Sequence, residues 1–397
     1  MGGCKKKPTA PPPEEKITVG VIFPMTGGLA SFGEAMKYAI DVAVDEINEA
    51  GGILGKKVEY ILKDDQTNPD VAKQKAQEII NAGIKVIIGA AASSATIKAS
   101  EITVPNNAIL ISPSSTSPLI TDLNDNDLVF RTCPSDAFQG KIIGRYLKEN
   151  LGVNRATALY IKNPYGIGLK NEFTKEFASR GGDTLDPISY PEEFEEAGTP
   201  PDFTPYIDSL IRQNPEYVVL VAYDRGGLAV KRAKEMNATF TWFGCDGIQT
   251  QGFLDNAGEY AEGIRGTAPY HEEGSHYDNF AQRYKQRSGM DPVTFIANTY
   301  DAFIVIALAI QKAGTADDGM KIKDALREVA NYSPNDSVVY GGQFSKAKDL
   351  IAKGIGIDYH GVSGPINFDE KGDVIIAPYE VWEIRGGKFV HIETIQP

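Results

Sequence analysis

Short apolar runs alternate with amphipathic helical stretches along most of this chain, and the alternation begins twice. Ile17–Pro24 reads as a strand, and Ser31–Ala50 as a helix that stops at Gly51-Gly52. Lys57–Asp65 reads as a strand and Pro69–Ala82 as a helix with proline at its start. Lys85–Gly89 is a nearly continuous apolar strand, and Ala108–Ser112 follows a helix that opens near Ser93. The second series starts with a strand at Leu128–Cys133 and a helix near Ser135–Asn150. Strands at Arg155–Ile161, Tyr217–Tyr223 and Thr239–Gly244 then alternate with helices at about Gly166–Arg180, Phe203–Gln213 and Gly226–Met236. Buried parallel strands joined by helices give such runs, so each series predicts a doubly wound α/β sheet.

Helices over Tyr277–Ser288 and Phe295–Ala313 have no strands beside them, and they are expected to return and cover the first sheet. Thr315–Val362 reads as irregular surface elaboration around one helix at Met320–Val329, and the chain closes on strands at Glu380–Ile384 and Lys388–Ile392. With 397 residues, two lobes are a better fit than one core.

Composition removes several function classes. The chain carries 53 acidic and 40 basic residues, a net charge of −13 that repels a phosphate backbone, so no nucleic-acid partner is expected. No run approaches the roughly 18 apolar residues needed to span a bilayer. Cys133 and Cys245 read as small buried apolar residues, with a disulfide between them as the alternative. His271, His276, His360 and His391 are scattered and form neither a zinc pair nor a triad. There is no G-x-G-x-x-G after a strand, no P-loop and no G-x-S-x-G elbow, so no enzyme and no cofactor is expected.

Met1-Gly2-Gly3-Cys4-Lys5-Lys6-Lys7 resembles the end of a bacterial lipoprotein signal peptide, with Cys4 as the acylated residue. The apolar stretch that would precede it is not in the sequence, which therefore reads as starting inside a trimmed precursor. Pro8, Pro11, Pro12 and Pro13 favour an extended tether up to about Lys16. Lipid, stalk and globular body together predict a surface-anchored layout.

In open α/β sheets ligands gather at the carboxyl ends of strands. Here those positions are rich in hydroxyls. Ala92-Ser93-Ser94-Ala95-Thr96 opens a helix whose free N–H groups suit a carboxylate, although simple capping by Ser93 or Ser94 explains the same residues. Ser112-Pro113-Ser114-Ser115-Thr116 ends the next strand, as an anion site or as a Ser/Thr turn. Phe32 follows the first strand, and either walls a pocket or packs in the core. In the second series Tyr165, Tyr223 and Asp246 stand at strand ends; Asp246 suits an ammonium partner, or an Asx turn with Gly247. Asp64-Asp65 reads as a solvated strand end or a hinge-side feature.

The ordered set Ile47-Asn48-Glu49-Ala50-Gly51-Gly52, Lys63-Asp64-Asp65, Val86-Ile87-Ile88-Gly89, Ser112-Pro113, Arg131-Thr132, Ser135-Asp136-Ala137-Phe138-Gln139-Gly140 and Phe368-Asp369-Glu370-Lys371-Gly372-Asp373 resembles the leucine/isoleucine/valine-binding protein family of ABC importers. The resemblance implies a type I periplasmic binding fold, with crossovers near Cys133, Thr267 and Ala377. It divides the chain into a tether (1–16), a first lobe (17–133 plus 267–377) and a second lobe (134–266 plus 378–397). It also implies that Ser93, Ser114 and Thr116 hold a ligand carboxylate, that Asp246 and Thr116 meet the α-ammonium, and that Phe32, Tyr165 and Tyr223 line the rest. The family has glutamate where Asp246 stands. An amino-acid ligand, a membrane permease as partner and a monomeric state follow as expectations. A ligand sensor of the same fold, binding an amide or aromatic acid and feeding a regulator, is the alternative. Arg225 is read as a cation at the cleft rim.

Overall fold

The computed structural model describes residues 15–196, 201–271, 273–375 and 377–396. Cys4 and the prolines of the tether lie outside them. Strands β1 (Lys16–Phe23), β2 (Lys57–Asp64), β3 (Val86–Gly89), β4 (Ile109–Ser112) and β5 (Val129–Arg131) form one parallel sheet in the order β2-β1-β3-β4-β5. Every residue of β3 and β4 is buried, because helices cover both faces of the sheet.

The second sheet collects β6 (Arg155–Ile161), β7 (Asp183–Thr184), β8 (Ile188–Tyr190), β9 (Tyr217–Val221), β10 (Thr241–Gly244) and β11 (Arg265–Pro269). These are parallel to one another, while two later strands, Tyr379–Arg385 and Lys388–Ile395, extend the sheet antiparallel beside β11. Together these are the two doubly wound α/β sheets expected from the sequence.

The chain passes between the sheets at three places: between Arg131 and Asp136, between Pro269 and Ser275, and between Val374 and Tyr379. Thr267 lies inside β11, so the chain leaves that sheet after Pro269, slightly later than the sequence implied. The helices Ser275–Ser288 and Ile296–Ala313 do return to the first sheet's side, where both pack on helix Ala30–Glu49. Helix Ile296–Ala313 is buried along most of its length, matching its nearly uniform apolar sequence.

Three expectations need correction. Thr315–Val362 is not irregular: β12 (Ser337–Tyr340) and β13 (Ile357–His360) pair in parallel around helix Phe344–Ala352, and Val339, Ile357 and Tyr359 are buried. Short strands with mixed polar and apolar residues hid this unit, because one face is exposed. Asp65 is not solvated. It is 1 % exposed, and one of its carboxyl oxygens has no hydrogen-bond partner. Burial pushes its pKa up to about 7, against the opposing bond from the Thr67 N–H. Cys133 and Cys245 are buried free thiols, so the disulfide alternative falls.

Candidate functional site

The parallel registers bring the carboxyl ends of neighbouring strands together. β3 ends at Gly89 and leads through Ala90-Ala91-Ala92 into helix Ser93–Thr103; β4 ends at Ser112 beside it. A hydroxyl network ties the two loops. The Ala90 carbonyl accepts from Ser112 Oγ at 2.7 Å and from Thr96 and Ser115 at 3.2 Å, and Ser114 Oγ donates to the Ala91 carbonyl at 3.0 Å.

No side chain caps helix Ser93–Thr103. Ser93 Oγ instead accepts from the Ser117 N–H at 3.2 Å, and Ser94 points to a different residue altogether. Capping by either serine is therefore not their role, and the helix leaves N–H groups and positive dipole for something else.

From the second sheet, β6 leads into helix Pro164–Ser179, capped by Asn163, whose side chain accepts from the Gly166 N–H at 3.0 Å. That cap sets Tyr165 at the strand end. Tyr165 and Tyr223 stack with ring centres 5.5 Å apart. The Tyr165 hydroxyl donates to Asp246 at 3.0 Å while accepting from the Gly247 N–H at 3.2 Å, and Asn163 donates to the Tyr223 hydroxyl at 3.2 Å.

Between these strand ends lies a small cavity lined by Phe32, Ser93, Ser114, Tyr165, Tyr223 and Asp246. Leu29, Ala91, Gly247 and Phe295 complete the lining. Six of the seven residues singled out in the sequence thus meet in one space. Thr116 is not among the lining residues; it is buried beside the cavity, where its hydroxyl donates to Asp136 at 2.8 Å. Arg225 does not serve the rim either: its guanidinium donates to the Phe194 carbonyl at 2.9 Å.

Sequence reading missed Asp136 and Phe295. Asp136 is fully buried, with one carboxyl oxygen on Thr116 and the other without a partner. Its only local signal is the Ser135 cap that starts helix Asp136–Arg145. Phe295 enters at the left-handed φ of 68° just before helix Ile296–Ala313, and its ring sits 6.0 Å from Phe32.

Burial raises the pKa of Asp246 to about 6, with the bond from Tyr165 pulling the other way. Burial, then the charge of Asp246, raises that of Asp136. Neither acid has an ion-pair partner among the described residues, whereas Arg131 is bonded to Asp373 at 2.6 Å. Among the described residues no group of three His, Cys, Asp or Glu side chains is placed to hold a metal ion.

The profile of the periplasmic binding protein family matches residues 16–388. The chain belongs to that family. Members are solute-binding proteins rather than enzymes.

A leucine-, isoleucine-, valine-, threonine- and alanine-binding protein of Pseudomonas aeruginosa is 28 % identical over 93 % of this chain and 90 % of its own length. A leucine-binding protein, LivK, of Thermotoga maritima superposes with a TM-score of 0.81 at 26 % identity, over 96 % of this chain and 99 % of that one. LivJ of Streptococcus pneumoniae, a branched-chain amino acid transporter substrate-binding protein solved with isoleucine, gives 0.79 at 25 %, over 96 % and 100 %. Among the described residues no helix of this periplasmic binding protein is long and apolar enough to cross a membrane.

Proposed function

We propose that this binding protein captures an α-amino acid with an aliphatic side chain by closing two lobes on it, and hands it to an ABC permease. One observation carries the reading. A single cavity sets an uncapped helix N-terminus with Ser93 against a buried, unpaired Asp246. Oriented N–H dipoles suit a carboxylate and a buried carboxylate suits an ammonium, so a zwitterion satisfies both walls at once. Leu29, Phe32 and Phe295 offer the remaining apolar surface to a side chain. Thr116 acts through Asp136, which it orients on the ammonium side of the cavity.

The moving bodies are residues 17–133 with 270–377, and 134–269 with 378–397. A ligand that bridges both walls contacts the closed arrangement better than the open one, and so shifts the population toward closure. The relatives named for leucine, isoleucine and valine support the ligand class, and their role in transport supports the permease. The protein acts as a monomer held at the outer face of a membrane by a lipid on Cys4. Intact mass of membrane-derived protein tests the anchor: an unmodified Cys4 removes it.

Calorimetry with L-isoleucine and its deaminated analogue, 3-methylpentanoate, tests the ligand class. L-isoleucine should bind far more tightly, because only it carries the ammonium. Equal affinities would remove the amino-acid assignment.

A further inference from the structure

Gly28 is bonded to the opposite lobe on both sides. Its N–H donates to the Glu195 carbonyl at 2.6 Å, and its own carbonyl accepts from the Asp224 N–H at 3.0 Å. A Cβ at this position would lie 2.4 Å from a Glu195 carboxyl oxygen and 2.8 Å from the Glu195 carbonyl. Gly27 adopts a left-handed φ of 89°, but Gly28 does not. The need for glycine at position 28 therefore comes from the other lobe and not from its own backbone.

Side chains join across the cleft around this point. Ser31 Oγ donates to Asp224 Oδ2 at 2.9 Å, and Ser94 Oγ to Glu192 Oε1 at 2.5 Å. Gly252 stands against the first of these pairs, where a Cβ would lie 2.2 Å from Asp224 Oδ2 and 2.6 Å from Ser31 Oγ.

The second-lobe side is braced from within. Glu195 is fully buried and accepts from the Tyr190 hydroxyl at 3.0 Å and the Arg225 N–H at 3.3 Å. Asp224 accepts from the Thr250 hydroxyl, and its carbonyl from Asn256 at 2.9 Å. Glu192 also takes a bond from Asn163 at 2.9 Å.

Gly28, Ser31, Glu192 and Asp224 are all absent from the cavity lining. Their bonds run from protein to protein, so they lower the free energy of the closed arrangement whatever the cavity holds. A ligand's apparent affinity then scales with the fraction of protein able to close.

We infer that Gly28, Ser31, Glu192 and Asp224 form a closure lock beside the ligand cavity, positioning residues that set affinity without touching the ligand. The lock rests on the reading that the lobes close on a small molecule, not on which molecule it is.

Gly28→Ala is the direct test, because the nearest atoms its methyl would meet all belong to Glu195. The variant should keep the ligand-free melting temperature of the first lobe's fold. Its Kd for L-isoleucine should rise about 10- to 100-fold, mainly through faster dissociation. X-ray scattering should find the ligand-free variant more expanded than the ligand-free wild type. Ser31→Ala, a milder change at a half-buried position, should move both readouts the same way by roughly 3- to 10-fold in Kd, the loss of one hydrogen bond.

Unchanged scattering and unchanged affinity in both variants would overturn the lock. If L-isoleucine binds neither wild type nor variant but the ligand-free scattering still differs, the ligand assignment fails and the lock stands. If neither binding nor any scattering difference is seen, the lock falls as well.

Discussion

On the first-lobe side of the cleft, Arg131 is fully engaged by Asp373, the Ser115 and Ser117 carbonyls and the Thr121 hydroxyl, whereas on the second-lobe side Asp246 and Asp136 have no salt-bridge partner among the described residues. The first wall therefore meets a ligand with hydroxyls and backbone dipoles, and the second meets it with unpaired charge. Charge on the first lobe holds a loop in shape; charge on the second waits for a counter-ion. On the proposed function, this division is what would let one cavity bind both ends of a zwitterion and reject a simple anion, which would leave Asp246 buried and unpaired.

The sharpest way to break the comparison is to remove the structural acid. Asp373→Ala would strand the fully buried Arg131, and it should cost about 3–5 kcal/mol of stability in urea unfolding. A loss below about 1 kcal/mol, the range of an exposed pair, would mean that Arg131 is held by its carbonyl partners alone.

Removing the functional acid should act on binding instead. Asp246→Ala should weaken an amino acid by roughly 2–5 kcal/mol, about 1.5 to 3.5 orders of magnitude in Kd, and a deaminated analogue far less. Equal losses for both ligands in calorimetry would make Asp246 structural.

Ligand-free stability should move the opposite way. The folded pKa of Asp246 is raised from 3.8 to about 6, so the folded form holds a proton that the unfolded chain releases. Stability is therefore lost as pH rises from about 4 to 6, and Asp246→Asn should recover up to about 3 kcal/mol at pH 8 and little at pH 4. Thermal melts of the ligand-free pair at both pH values check the sign.

The same shift predicts how binding titrates. An ammonium pairs only with the ionised acid, so affinity for an amino acid should be level above about pH 6 and fall by up to about tenfold per unit below it. Affinity that rose on acidification would contradict an ammonium partner. The smallest effect belongs to the first wall: Ser93→Ala should cost about 1 kcal/mol for the amino acid and its deaminated analogue alike, since both keep the carboxylate.

Much of this was legible in the chain, for reasons that the exceptions make clear. Ser93, Ser114, Tyr165, Tyr223 and Asp246 each follow an apolar strand, and parallel pairing forces such positions to one edge of a sheet. Thr116 was misplaced because side-chain direction in the irregular 112–117 turn has no period; two residues beyond Ser114 it points to Asp136 instead of the cavity. Asp65 looked solvated because an acid at a strand end usually is, yet the loop that follows encloses it.

By itself the sequence determined two wound sheets, the edge at which a ligand would gather, and the chemistry of that edge, because apolar periodicity and strand-end residues are local properties. Only the tertiary structure decided which acids stay unpaired, that Phe295 closes the cavity, and that Gly28 must be glycine. Each of these depends on a partner more than a hundred residues away, Arg131 with Asp373 and Phe295 with Phe32 inside the first lobe, Gly28 with Glu195 across the cleft, and no local pattern encodes a contact between parts of the chain so far apart.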